Sequence, residues 1–250
     1  MNICETEAIV LRTQDYGESD RVVTLYTRAA GRIRGIAKGA RRSKKRFANV
    51  FELCSLVELK YRTRKTSVWI EECKLLEPHL ELRTGVERWG YAALISEITL
   101  EMAPEGEAQE ELFLLLKETL GRLAGATDPL NVVLLFIFRF LDLMGYLPAL
   151  ECCSVCKRPV ASATHWWWQM SQGELACSEH RSVRQDHVLL DLGTLVLIQQ
   201  SRRLPLDRIW RLRLSRQRKI PLLHGFVGWI REQIRKDLKS LKLLEQVQSA

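Results

Sequence analysis

Short alternating runs of apolar and polar residues fill the first 80 residues of the chain. Five of these runs are rich in Val, Ile, Leu and Tyr, and turn-forming stretches such as DYGESD and RAAG separate them. The runs read EAIVLRT, DRVVTLYTR, GRIRGIAKG, SLVELKYR and SVWIEECKLLE. Five short strands in so few residues predict a small closed or half-closed barrel, and a five-stranded OB-fold has this size. A small SH3-like barrel fits the pattern almost as well.

A helical pattern replaces the alternation from about residue 82. Apolar residues recur three and four positions apart in VERWGYAALISEITLEM, EAQEELFLLLKETLGRLAG and PLNVVLLFIFRFLDLMGYL, with the helix-stopping and helix-starting stretches APEG and ATDP between them. Residues 149–185, rich in Cys, Trp, Ser and charge, are predicted to form an irregular insert, and the chain from 187 onward is predicted to be helical again. The predicted fold class is α+β and multidomain. An OB-fold barrel spans residues 1–80, and an all-helical domain spans residues 81–250 and carries the insert.

The longest apolar run is Val132–Phe138, which reads VVLLFIF. It is too short to span a bilayer and is closely followed by Arg139 and Asp142, so a buried helix is the better interpretation. The N-terminal stretch MNICETEAIVLR lacks the features of a secretory signal. The seven cysteines are an odd number, and three of them stand singly in apolar surroundings. We therefore expect a protein of the reducing cytoplasm, without a disulfide framework and without a membrane partner.

Charge divides the chain into three parts. The net charge is +8 and the pI is about 9.2, which favours a polyanionic partner. Residues 1–80 carry 16 Lys/Arg against 10 Asp/Glu, residues 81–148 carry 5 against 11, and residues 149–250 carry 17 against 9. The last part includes RRLPLDRIWRLRLSRQRK, with eight Lys/Arg against one acid. The alternation of basic, acidic and basic parts indicates parts with different duties.

The densest basic run, GRIRGIAKGARRSKKR at residues 31–46, has eight Lys/Arg among 16 residues and no acid. Its first nine residues fit a strand whose basic side chains lie on one surface, and the remainder fits a mobile loop. In an OB-fold the nucleic-acid groove is formed by the second and third strands and the flanking loops, so this run would line that groove. Gly35 and Gly39 allow strong coiling, a bulge or the close approach of a ligand backbone. The residues predicted to contact the nucleic acid are Arg32, Arg34, Lys38, Arg41, Arg42, Lys44, Lys45 and Arg46.

Other interpretations of the basic run stay open at this point. It fits a solvated charged loop, and ARRSKKR fits a nuclear localisation signal locally, although the neighbouring strand pattern favours a folded domain. Arginine outnumbers lysine five to three, which suits bidentate phosphate contacts. Four aromatic residues nearby would either stack a base or fill the barrel: Tyr16, Tyr26, Phe47 and Phe51.

Two cysteine knuckles predict a structural zinc site. Cys153-Ser-Val-Cys156 is followed, after twenty intervening residues, by Cys177-Ser-Glu-His180. A two-residue spacer lets both ligands of a knuckle reach one ion, and two knuckles complete a tetrahedral Cys3His shell with no open position for water. One structural Zn²⁺ per chain is therefore expected. The alternatives are free thiols at a site that has lost its metal, or a shell in which the neighbouring Cys152 replaces Cys153.

Three consecutive tryptophans, Trp166, Trp167 and Trp168, lie between the knuckles. They cannot all face one side of a strand. Outward rings would offer a stacking platform for bases, whereas inward rings would pack the metal loop against the helices on either side. We favour packing, because a small metal knuckle needs a hydrophobic cover.

Motifs of the common enzyme classes are absent from the sequence. There is no GxxxxGK[ST] loop, GxSxG elbow, HExxH pair or kinase motif set. The acidic stretch DYGESD, with Asp15, Glu18 and Asp20, raises the alternative of a metal-dependent nuclease, but a two-metal site normally draws further carboxylates from strands. We favour a turn. A zinc-stabilised transcription factor is a third interpretation, and no helix-turn-helix pattern supports it.

At residues 7–47 the stretch EAIVLRTQDYGESDRVVTLYTRAAGRIRGIAKGARRSKKRF closely resembles the N-terminal domain of the RecO family of bacterial recombination mediators. The resemblance extends over nearly the whole chain, including the helical middle, the C-x2-C insert and the closing DLKSLKLLEQV. It implies an OB-fold, a helical domain and a zinc knuckle that maps to Cys153, Cys156, Cys177 and His180. The family usually has a fourth Cys where this chain has His180, and its glycine pair before the third ligand is reduced here to Gly173.

The resemblance also implies a function without catalysis. Proteins of this family bind single- and double-stranded DNA and anneal complementary strands. They bind the C-terminal tail of single-strand binding protein, and with RecR they help to load RecA in gap repair. The expected location is the bacterial cytoplasm, in association with the nucleoid.

Overall fold

Five strands at the N-terminus close into a barrel in the computed structural model, which describes residues 2–43, 45–64, 67–147, 149–169, 173–181 and 187–248. Around the barrel the strand order is β1-β2-β3-β5-β4, with β3 and β5 parallel and the other neighbours antiparallel. This order confirms the prediction of a five-stranded barrel and fits the OB-fold. The strands are β1 (Asn2–Tyr16), β2 (Asp20–Thr27), β3 (Gly31–Ala37), β4 (Leu56–Arg64) and β5 (Ser67–Glu77).

Period-two alternation decides which side chains fill the barrel. In β3 the odd positions from Gly31 to Ala37 are buried, and Arg32, Arg34 and Ile36 alternate with them on the outer side. The interior is filled from every strand and from the segment that joins β3 to β4. Its buried residues include Val10, Val23, Leu25, Ile33, Phe47, Phe51, Leu59 and Ile70.

Three helices complete the unit that contains the barrel. They are α1 (Val86–Met102), α2 (Glu110–Gly125) and α7 (Lys239–Gln248). Cys54, just before β4, lies with its sulfur 3.2 Å from the hydroxyl of Ser96 in α1. Glu97 of α1 accepts hydrogen bonds from the backbone N–H groups of Lys239 and Ser240, each at 2.9 Å, and from the Ser240 hydroxyl at 2.6 Å. Glu97 therefore satisfies N–H groups at the start of α7, as a capping residue would.

A second compact unit consists of four helices and a small sheet. The helices are α3 (Pro129–Leu143), α4 (Leu192–Arg203), α5 (Leu206–Ile209) and α6 (Arg216–Ile234); the strands are β6 (His165–Gln169), β7 (Glu174–Ala176) and β8 (His187–Asp191), in the order β7-β6-β8. Asp128 starts α3 by accepting the Asn131 N–H, with Pro129 at the first helical position. The apolar run Val132–Phe138 lies in α3 and is almost wholly buried, which confirms it as a core helix.

The prediction of helix from residue 187 onward is wrong for the first five residues. His187–Asp191 form β8, which pairs antiparallel with β6. The alternating burial of HVLLD belongs to a strand, and five residues are too few for a helical period to show. The insert predicted to be irregular likewise contains β6 and β7, so the helical part of the chain also holds a three-stranded sheet.

The described residues up to Thr127 and from Leu238 onward form one compact unit, and Asp128–Asp237 form the other. The chain therefore leaves the barrel unit, builds the second unit and returns. The domain boundary near residue 80 stays a prediction. Within the described parts of the chain, no helix combines the length and the apolar content needed to cross a bilayer.

Candidate nucleic-acid interface and metal centre

The outer face of β3 presents basic and apolar side chains beside an aromatic ring from β5. Arg34 is exposed and Ile36 is half-buried. Ile36 is the pairing partner of Trp69, and the Nζ of Lys38 lies 4.7 Å from the Trp69 ring centroid. The parallel pairing of β3 with β5 thus places a cation and an aromatic ring together on one surface.

Arg32 is partly engaged within the protein, unlike Arg34. Its Nε donates to the Ala103 carbonyl at 2.9 Å, and its own carbonyl accepts the Gly106 N–H at 3.0 Å. An ion pair with Glu105 at 3.8 Å leaves the side chain about one quarter exposed. Arg32 therefore ties the segment after α1 to the edge of β3, and less of its guanidinium is available to a ligand.

The glycines of the basic run serve the fold. At Gly35 an added Cβ would lie 2.9 Å from a side-chain carbon of Ile70 inside the barrel, so this glycine lets β3 and β5 approach. Gly39 has a left-handed φ of +69°, and its N–H donates to the Asp20 carboxylate at 2.8 Å. Of the roles expected for these glycines, close approach is realised at Gly35, but between two strands of the barrel.

The loop after β3 is exposed but anchored. The Arg41 N–H donates to the Ser19 carbonyl, and its guanidinium donates to the Gly17 carbonyl at 3.1 Å. Phe47 enters the barrel core, and the Arg46 guanidinium donates to the Lys38 carbonyl at 3.2 Å. Four predicted contact residues are exposed here: Arg41, Arg42, Lys45 and Arg46. Lys44, also predicted to contact DNA, lies outside the described residues.

The acidic stretch DYGESD forms the turn between β1 and β2. Asp15 pairs with Arg21 at 3.3 Å and with Arg41 at 3.4 Å. The Gly39 N–H is the main cause that lowers the pKa of Asp20, and the Ser19 hydroxyl assists it. Among the described residues, acidic side chains form no cluster able to hold a metal ion. These contacts favour the turn over the nuclease site.

Two of the four aromatic residues named from the sequence, Phe47 and Phe51, belong to the barrel core, whereas Tyr26 lies on the side of β2 opposite Leu25. Tyr26, Phe47 and Phe51 are buried, whereas Tyr16 is 58% exposed at the β1–β2 turn. Sequence reasoning missed Trp69, which is half-buried on the outer surface. The strand order of an OB-fold, which makes β5 the neighbour of β3, is the pattern that points to it.

The second basic region is RRLPLDRIWRLRLSRQRK at residues 202–219, and some of its cations form ion pairs. Arg202 pairs with Asp142 at 2.8 Å, and Arg218 pairs with Asp191 at 2.8 Å. Lys219 is buried beside Asp128. Other arginines of the region are exposed, namely Arg203, Arg208, Arg211, Arg213 and Arg216. The excess positive charge on the surface therefore comes from those five residues.

The two cysteine knuckles converge as predicted. The ligand atoms of Cys153, Cys156, Cys177 and His180 all lie within 4.8 Å of one another. The Cys156 and Cys177 sulfurs are 3.8 Å apart, and the His180 Nδ1 lies 3.2 Å from the Cys177 sulfur and 4.0 Å from the Cys153 sulfur. A tetrahedral ion with metal–sulfur bonds of about 2.3 Å and metal–nitrogen bonds of about 2.0 Å needs edges of this order. The cluster can hold a metal ion, and Cys152 is not a member of it.

Backbone N–H groups around the knuckles favour the thiolate form of Cys153. Burial raises the pKa of the Cys153 thiol, but N–H groups of Cys156, Cys177 and Val155 point at its sulfur, and the pKa falls to about 6. Lys157 holds a left-handed φ of 59°, which turns the chain sharply after Cys156. These N–H groups stabilise the thiolate form that a metal requires.

The three tryptophans divide between packing and the surface. Trp166 and Trp168 are fully buried, whereas Trp167 is half-buried under the Arg181 guanidinium. The Trp168 ring lies 4.6 Å from Phe226 and 5.6 Å from Trp229, both in α6. The favoured packing against helices is therefore confirmed for Trp168, while the indole N–H of the buried Trp166 donates to the Val160 carbonyl at 3.1 Å.

Family models match nearly the whole chain. A model described as "Recombination protein O N terminal" matches residues 1–79, and a model described as "Recombination protein O C terminal" matches residues 83–242. The first match spans the barrel strands, and the second includes both cysteine knuckles.

Several relatives match over almost their full length. A protein of Syntrophobacter fumaroxidans named "DNA repair protein RecO" is 61% identical over 249 residues, covering 100% of both chains. Proteins of the same name from Syntrophus aciditrophicus and Pelotomaculum thermopropionicum are 32% and 30% identical, covering 98% of this chain and 96% and 95% of their own.

Proposed function

Because the chain belongs to the recombination protein O family, we propose that it is a DNA repair protein that acts as a recombination mediator without catalysing a reaction. It binds single- and double-stranded DNA and anneals complementary strands. With RecR and single-strand binding protein it helps to load RecA during gap repair and homologous recombination. Its proposed location is the bacterial cytoplasm, in association with the nucleoid.

The observation that carries the proposal is the open basic face of β3 and its loop. Arg34, Arg42 and Lys45 are exposed there on a barrel whose β4–β5 face is, by contrast, neutralised by ion pairs such as Lys60–Glu5 and Lys74–Glu58. Phosphate contacts made by such side chains do not depend on base sequence, so affinity should fall steeply with salt. Arg32 ranks below Arg34 as a contact, because its guanidinium already binds the Ala103 carbonyl.

Annealing requires two strands to be held together while their mutual repulsion is neutralised. The exposed arginines of the second basic region, such as Arg203, Arg208 and Arg211, supply positive charge outside the barrel. We propose that this region holds the second strand or receives the acidic C-terminal tail of single-strand binding protein. Charge of this kind raises association rates with polyanions and makes them sensitive to salt.

The proposed metal is one structural Zn²⁺ per chain. Three thiolates and one imidazole form a donor set that zinc prefers, and their separations fit a tetrahedron. Cys153, Cys156, Cys177 and His180 would hold the ion through all four positions, so none is left for a substrate or a water nucleophile. The metal would stabilise the knuckles and the strands β6 and β7.

The test compares the slope of log affinity against log salt concentration in two double variants. Arg42→Ala/Lys45→Ala removes two exposed charges of the loop, and Lys60→Ala/Lys74→Ala removes two paired charges of the β4–β5 face. If both loop residues contact phosphates, the slope for a single strand should fall by about 1.4, since each contact contributes about 0.7. The paired-lysine variant should keep the original slope.

An unchanged slope in the loop variant would contradict the assignment of the groove. The wider proposal is that the protein anneals strands and binds the tail of single-strand binding protein. It is tested by annealing complementary strands that are coated with single-strand binding protein, with and without its C-terminal tail. Incubating labelled DNA with the protein and Mg²⁺ should yield annealed but uncut strands. Cleavage would favour the nuclease alternative.

A further inference from the structure

Trp69 is a large aromatic side chain that the barrel interior does not use. Its neighbours in β5, Val68 and Ile70, pack in or against the core, whereas Trp69 is half-buried on the opposite side of the strand. There it lies beside Ile36 and under the ammonium group of Lys38. One face of the indole therefore lies under a residue of the basic surface that begins at β3.

Two other half-buried tryptophans also lie under a cation, and they provide a comparison. The Arg83 guanidinium lies 5.6 Å from the Trp89 ring in α1, and the Arg181 guanidinium lies 5.5 Å from the Trp167 ring in β6. Neither ring belongs to a barrel strand. Trp69 differs because its cation, Lys38, and the adjoining strand β3 belong to the proposed DNA surface, so its ring can meet a base whose phosphates are already bound.

We propose that Trp69 stacks on an unpaired base, and that this contact makes the β3–β5 surface bind single strands more tightly than duplexes. The inference rests on the proposed function, because it needs a nucleic-acid backbone along β3. Aromatic side chains stack on bases of every sequence, which suits a protein that acts anywhere in a genome. In a duplex the faces of internal bases are covered by their neighbours, so the ring gains no such contact there.

Lys38 links the free and the bound states of the ring. In the free protein its ammonium covers the face of Trp69. A cation over a partly exposed ring is held more weakly than a stacked base, so an incoming base can take its place. The long side chain of Lys38 can then turn to a phosphate of the same strand. One side chain thus shields the indole from water until DNA arrives and then contributes a charge contact.

A purely structural role for Trp69 gives different expectations. In that case the ring only covers Ile36 and the methylene groups of Lys38. Its loss would then disturb the fold and lower the affinity for single strands and duplexes equally. Leucine preserves an apolar cover but has no ring, and phenylalanine preserves a ring. The pair Trp69→Leu and Trp69→Phe therefore separates stacking from covering.

The experiment measures the affinity of the full-length protein for an oligonucleotide and for the duplex of the same sequence, at one salt concentration. Trp69→Leu should weaken single-strand binding by about 5- to 150-fold, which corresponds to the loss of one stacked base. Its duplex affinity and its salt slope should stay at the wild-type values. Trp69→Phe should retain most of the single-strand affinity, and Trp89→Leu, the matched control on α1, should bind both ligands as the wild type does.

A second measurement decides the matter even if Trp69→Leu is less stable. The difference in fluorescence between the wild type and Trp69→Phe reports on the Trp69 indole, and a stacked base should quench it when single strands are added at low salt. Absence of quenching, or an equal loss of affinity for single strands and duplexes, would overturn the stacking role while leaving the proposed DNA binding intact. A wild-type protein that binds neither ligand would overturn the proposed function itself.

Discussion

Gly31 allows the segment before α2 to approach the barrel. Its φ is +62°, and an added Cβ would lie 1.9 Å from the Glu107 carbonyl oxygen. Two atoms cannot lie this close together, so the backbone would have to move to make room for the Cβ. Gly17, in the β1–β2 turn, has nearly the same φ of +60°, but an added Cβ there meets no described atom within 4 Å. The two glycines therefore share a backbone conformation but differ in the space available for a side chain.

Gly31→Ala should destabilise the protein more than Gly17→Ala. The left-handed conformation should cost each variant about 1 kcal/mol of unfolding free energy. The collision with Glu107 should cost Gly31→Ala roughly 1–3 kcal/mol more. Urea unfolding of both variants measures the difference. Equal losses would mean that the segment moves aside without penalty.

At the residue scale, the sequence predicted which side of a strand a side chain occupies better than it predicted which residues that side chain contacts. The arginines of β3 were expected on one surface, and Arg32 and Arg34 do share the outer side of the strand. Nothing in the spacing of GRIRGIAKG reveals that Arg32 reaches the Ala103 carbonyl, because that contact joins residues 71 positions apart. Trp69 was missed for the same reason, since its place beside Lys38 depends on the pairing of β3 with β5.

The cysteine knuckles were predictable at the scale of elements because each is a local device. A two-residue spacer fixes the ligand pair within one turn, so the pattern alone identified four ligands that the structure brings together. The strand β8 was not predictable in this way. HVLLD has alternating burial only when it lies against β6, and isolated in the sequence it resembles the start of the helix that follows.

Removal of one ligand should separate zinc binding from the rest of the fold. Cys156→Ser should reduce the zinc content of protein purified without chelator from about one per chain to well below one. It should also lower the thermal stability, because binding of a structural zinc contributes to folding free energy. Cys152→Ser is the matched control, since Cys152 adjoins Cys153 but lies outside the cluster. Loss of zinc in the control variant, or a metal-free wild type, would contradict the assignment.

At the scale of the whole molecule, the contacts of α7 bring together residues that are far apart in the chain. Glu97 accepts hydrogen bonds from the N–H groups of Lys239 and Ser240, and Leu238 and Leu244 are buried. Helix packing of this kind is not readable from DLKSLKLLEQV, whose amphipathic pattern gives a buried face but no partner. The barrel unit therefore includes residues from both ends of the described chain.

Glu97→Ala should loosen α7 and lower the unfolding free energy by roughly 1–2 kcal/mol, the range found for loss of a helix cap. Glu97→Gln, which keeps one acceptor oxygen, should lose less. Hydrogen exchange of the α7 backbone N–H groups measures the local effect, and exchange in the sheet β7-β6-β8 serves as the internal reference. Unchanged protection of α7 in Glu97→Ala would mean that packing alone holds the helix.

The return of the chain to the barrel unit has a consequence for synthesis. A ribosome makes the protein in sequence order, so α7 emerges only after the 110 residues from Asp128 to Asp237. At translation rates of about 5–20 residues per second, this interval lasts roughly 5–20 seconds. During that time the side of α1 that contacts α7 is uncovered in the nascent barrel unit. Chaperones that act on growing chains should therefore meet this protein at α1.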